Sequence, residues 1–89
     1  MPSQPLSNPF DTRLVAPIRI KPDGPRLASL EDVRAFFVGL TDEQHNHPDW
    51  DFVARALLGA ANEPTPSALE LLDLALKNAL LTSLMTWEE

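Results

Sequence analysis

The sequence predicts an α+β fold, with an N-terminal β-hairpin packed against three α-helices in a single small domain. Three observations carry this. An alternating apolar and polar run leads into proline and glycine turn chemistry. Three later segments repeat apolar residues at three- and four-residue intervals. Each of those segments opens on a residue suited to cap or start a helix.

The alternating run is Arg13–Lys21, where Ile18 and Ile20 point one way and Arg19 and Lys21 the other. Pro17 donates no backbone hydrogen bond, so this strand is expected at a sheet edge or with a bulge. Pro22, Asp23, Gly24 and Pro25 supply a reversal, with the glycine expected to take a positive φ, and Arg26, Leu27 and Ala28 return as a short second strand. A two-stranded hairpin is marginal alone in water, which is why helices must cover it.

The first helix starts at Ser29, with Asp32 in the capping-box position, and presents Leu30, Val33, Phe37 and Leu40, widened by Phe36, until Gly39. The polar residues 41–47 read as a loop. Pro48 opens the second helix, where a missing N–H costs nothing, and Asp49 and Asp51 favour its positive end. Trp50, Val53, Ala54, Leu57, Leu58 and Ala61 give its apolar face, and Asn62 and Pro64 end it. The third helix has Thr65 as cap and Pro66 as first residue, and runs through Leu69, Leu72, Leu76, Ala79 and Leu80 toward Met85.

Pro17-Ile18-Arg19-Ile20, the Gly24 turn, Ser29-Leu30-Glu31-Asp32-Val33 and the alanine-rich second and third helices together resemble the bacterial family catalogued as domain of unknown function 982, over about residues 10–81. The resemblance implies a fold and brings no catalytic residue with it. Family members usually carry a Trp-Pro pair after the first helix, where this chain has Gly39-Leu40 and a polar stretch.

An 89-residue chain that is 44% hydrophobic and 22% charged is sized for one domain, without a separate catalytic lobe. The boundaries expected are a flexible proline-rich arm over residues 1–12 and the domain over residues 13–89. No apolar stretch approaches the roughly 20 residues that cross a bilayer, and no leader pattern is visible, so a soluble cytoplasmic protein without membrane contact is expected. The absence of cysteine excludes disulfides, thiolate metal sites and a cysteine nucleophile. Serines lack a nucleophile-elbow motif, and Gly24, Gly39 and Gly59 match no phosphate loop. The expectation is a non-enzymatic chain with no cofactor.

Three surfaces remain as candidates. His45, His47 and Asp49, flanked by Asp42 and Glu43, carry ligand types that a transition metal accepts, and a metal or small ligand held there is the alternative function. The competing account is a solvated loop in which His47 or Asn46 caps the second helix. Residues 13–26 hold four basic residues (Arg13, Arg19, Lys21, Arg26) and one acid (Asp23), a local +3 that leaves −9 for the rest of a chain totalling −6. Arg19, Lys21 and Arg26 are therefore candidates for anion contact, or guards of a strand edge; nucleic acid is disfavoured by the overall charge and the lack of interleaved aromatics. The third helix has a narrow polar sector of Glu70, Asp73 and Lys77 and a second apolar stripe of Leu74, Leu81 and Met85, continued by Trp87. That stripe predicts a protein-interaction or regulatory module that self-associates as a homodimer or other homo-oligomer, or binds another protein, through its last helix.

Overall fold

The computed structural model describes residues 9–21 and 24–89. It is an α+β fold. A 3-10 turn at Pro9–Asp11 leads into β1 (Arg13–Lys21), β2 (Arg26–Ser29), α1 (Leu30–Val38), α2 (Asp42–His45), α3 (Pro48–Asn62), α4 (Pro66–Thr82) and β3 (Thr86–Glu88). Residues 1–8 of the expected arm, and Pro22 and Asp23 of the expected turn, lie outside the described residues. Within residues 9–12, Phe10 packs against the core, so the packed part of the chain begins ahead of residue 13.

The sheet is three-stranded and antiparallel, in the order β2-β1-β3. β1 is thus central, which corrects the edge placement expected from Pro17. The bulge alternative describes what happens instead: pairing to β2 slips between Arg13 and Ile18, the stretch in which proline withholds its donor. β3, unanticipated from the sequence, supplies the second neighbour, pairing Lys21, Ile20 and Arg19 with Thr86, Trp87 and Glu88.

At the hairpin end Gly24 donates to the Ile20 carbonyl at 2.8 Å, and Ile20 donates to Pro25 at 3.0 Å. The glycine is required by proximity and not by a positive φ. A Cβ there would stand 2.6 Å from the Ile20 Cβ and 2.8 Å from its carbonyl oxygen.

Each main helix begins as its capping residue dictates. Ser29 Oγ accepts from the Asp32 amide, while Asp32 Oδ2 accepts from Ser29 and Ala28 at 3.1 and 2.8 Å, closing the box on α1. Residues 41–47 are not a plain loop. Thr41 and Gln44 form a second reciprocal capping box, and its two bonds suffice to wind the single turn of α2. α3 and α4 carry Pro48 and Pro66 in their first turns, behind His47 and Thr65 as caps.

The core lies between the inner sheet face and the helices. Ile18, Ile20 and Leu27 meet Leu30, Val33, Trp50, Val53, Leu72, Leu76 and Leu80, all buried. On α3 the buried face is Trp50, Val53, Ala56, Leu57 and Ala60. It is rotated from the expected one, leaving Leu58 exposed, because Ala56 and Ala60 face α4, whose Ala75 and Ala79 are also buried. Small residues let two helices approach closely, so the alanines define the seam there and the longer leucine is left outside. The Trp50 indole N–H donates to Ser83 Oγ at 2.7 Å, giving the largest core side chain a polar partner.

The last helix stops at Thr82, short of the expected run to Met85. Leu84 takes φ 59°, and Met85 N–H donates back to the Leu80 carbonyl at 2.8 Å, the six-to-one bond of a left-handed helix terminus. The reversal returns the chain along β1 as β3.

Candidate functional site

The histidine cluster is dispersed by the elements that carry it. His45 ends α2, its ring stacked on Phe37 with centroids 4.8 Å apart and its Nε2 2.6 Å from the Phe37 carbonyl oxygen. His47 caps α3, its Nδ1 accepting from the Asp49 amide at 3.1 Å. The Asp49 carboxylate accepts from the Thr82 hydroxyl at 2.5 Å, joining the start of α3 to the end of α4. These roles are structural, as the capping account of the sequence anticipated for His47. Among the described residues no three histidine, cysteine or acidic side chains are grouped so as to hold a metal ion. His47 does border a concavity of about 330 Å³ with Thr41, Gln44, Trp50 and Ser83.

The apolar stripe of the last helix divides in two. Leu74 and Leu81 project to solvent, 66% and 63% exposed. Met85 and Trp87 are half-buried and packed on the core: the chain reversal at Leu84 takes Met85 off the helix, and pairing with Ile20 puts Trp87 on the inner sheet face. In their place two residues not singled out from the sequence join the stripe: Leu71, 45% exposed, and the exposed Asn78. Their signal was legible as the spacing four, three, four, three through Ser67, Leu71, Leu74, Asn78 and Leu81. This is the period of a helix face that meets another helix, with leucines at both kinds of seam position and asparagine at one.

One flank of the stripe is fixed by charge. Lys77 Nζ lies 3.1 Å from Asp73 and 3.3 Å from Glu89, so α4 grips the residue after β3. Burial lowers the Lys77 pKa, the largest single influence, but the hydrogen bonds and negative charge of Asp73 and Glu89 together outweigh it and hold the ammonium above its ordinary value.

The basic residues stand on the solvent face of the sheet. Arg19 and Arg26 are cross-strand partners and both are exposed. Lys21, two residues along β1, pairs with Glu88 at 3.3 Å. No helix among the described residues is long and apolar enough to cross a membrane. Comparison of the chain with protein-family models, with curated proteins and with solved structures finds no match.

Proposed function

We propose that this chain is a non-enzymatic interaction module in which α4 pairs with α4 of a second copy. The observation that carries this is the row of Leu71, Leu74, Asn78 and Leu81 along the solvent side of a helix whose other face is buried in the domain. A free peptide of two heptads would be a marginal helix, but here the ordering cost has been met by folding.

The asparagine sets the direction. Enclosed between two helices, its amide needs a polar partner. In a parallel, in-register pair Asn78 faces its twin and the two amides satisfy each other; in an antiparallel pair it faces Leu74 and is stranded. Burying the exposed parts of three leucines in each copy contributes about 8 kcal/mol, and about 4 kcal/mol is lost with rigid-body freedom, leaving an affinity on the order of 1 mM. A standard interface takes about 800 Å² from each copy, more than these leucines supply, in keeping with a reversible and regulatable association. Membership of the domain of unknown function 982 family belongs to the same proposal, supported by the order of hairpin and helices.

Because the chain has no cysteine, a single introduced thiol reports the pairing directly. Leu81→Cys should cross-link to its twin under mild oxidation far faster than Leu58→Cys, which is equally exposed on α3 and off the seam. Equal rates for the two variants would remove the proposal.

A further inference from the structure

The solvent face of the sheet holds a charge arrangement that helix pairing does not use. The strand register sets Arg19 of β1 between Arg26 of β2 and Glu88 of β3. Glu88 turns to Lys21, and among the described residues neither arginine has an ion pair or a side-chain hydrogen bond. Two arginines thus stand directly opposite each other on adjacent strands, in a chain of net charge −6, and neither forms an ion pair with a carboxylate of the described residues. Like charges so placed weaken a sheet. Both residues are exposed, so packing does not call for arginine at either position. They border a concavity of about 410 Å³ whose lining also includes Pro17, Ile18, Glu88 and Glu89.

The group that relieves such a pair carries two negative charges and enough oxygens for two guanidinium forks. A phosphate monoester presents three terminal oxygens and nearly two charges at neutral pH, whereas a carboxylate presents two oxygens and one charge, which a single fork exhausts. Glu88 and Glu89 line the same concavity and repel an extended polyanion that would run across β3, which favours a compact group held toward Arg26 on the β2 side. We propose that Arg19 and Arg26 form a two-guanidinium clamp for a single phosphate monoester. The clamp is independent of pairing through α4.

The test is an NMR titration of the full chain with inorganic phosphate, with acetate and with a single-stranded oligonucleotide, at constant ionic strength. Phosphate should shift the Arg19 and Arg26 Nε–Hε signals saturably, with half-saturation on the order of 1 mM and at least fivefold tighter than acetate. The response should strengthen from pH 5.5 to pH 7.5 as inorganic phosphate gives up its second proton and gains its second negative charge. It should vanish in Arg19→Gln and in Arg26→Gln and weaken severalfold in Arg19→Lys, which keeps the charge without the fork. Arg19→Lys should keep the wild-type thermal midpoint, and the two glutamine variants should match or slightly exceed it, since the positions are exposed and a like-charge contact is removed. Equal responses to phosphate and acetate, or a phosphate response surviving either glutamine variant, would overturn the clamp. Tighter binding of the oligonucleotide than of phosphate, falling steeply with salt, would replace it with a nucleic-acid contact.

Discussion

Truncating Leu74 to alanine separates a seam from a core. The side chain is 66% exposed in the monomer, so Leu74→Ala leaves fold stability within about 0.5 kcal/mol of the parent. In the paired state the same truncation removes about 1.2 kcal/mol of apolar burial from each copy, or about 2.4 kcal/mol per dimer, and weakens association about 50-fold. Leu72, two residues away and fully buried, should behave in the opposite sense: Leu72→Ala costs about 2–5 kcal/mol of folding stability by leaving a cavity. Urea unfolding at low protein concentration reads the first quantity and sedimentation equilibrium the second. A Leu74→Ala protein that loses as much fold stability as Leu72→Ala, or that associates as the parent does, refutes the assignment of this stripe to a partner.

Three further outcomes follow from the backbone and the ion pairs. Leu84 is 92% exposed at φ 59°, so Leu84→Gly removes left-handed strain without losing burial and should raise stability by about 0.5–1 kcal/mol, measured by thermal or urea unfolding. Gly24→Ala forces a methyl into the Ile20 side chain and carbonyl and should lower stability by about 1–3 kcal/mol, with hydrogen exchange accelerating first at the β1–β2 turn. Lys77 is held above its ordinary value near 10.5, so its contribution is complete below the unfolded-state pKa and is lost as pH rises through the higher folded value. The β3 amides should therefore stay protected through neutral pH and lose protection only in strong alkali, and Lys77→Met should abolish that alkaline step.

Much of the fold was legible because local chemistry and long-range packing agree. Ser29 and Thr65 fix helix starts by hydrogen bonds within a few residues, Pro48 and Pro66 by a φ already set for a first turn, and the alternation through Ile18 and Ile20 fixes the inner face of β1. What escaped depends on partners distant in sequence. Nothing in Thr86-Trp87-Glu88 marks a strand until Leu84 turns the chain back and β1 offers an edge, and that pairing also draws Met85 and Trp87 from the outer stripe to the core. The sequence pattern misplaces the buried face of α3, because leucine at position 58 outweighs alanine at 56 and 60 in any count of apolar residues. Close helix packing reverses that ranking. The histidines followed the same logic: their ligand chemistry is visible in sequence, but only the fold shows that Phe37 engages His45 while His47 caps α3. The proposed seam of α4 is partly legible: Leu74 and Leu81 follow from angular position, whereas Asn78, being polar, gives no apolar signal and Leu71 stands out only through its exposure in the fold.

Sedimentation equilibrium of the full chain between about 50 µM and about 5 mM, a range that brackets the expected affinity, tests the central reading most directly. The account predicts a mass rising from that of the 9.9 kDa chain toward twice that value, with a midpoint on the order of 1 mM. A single species of 9.9 kDa throughout that range contradicts it.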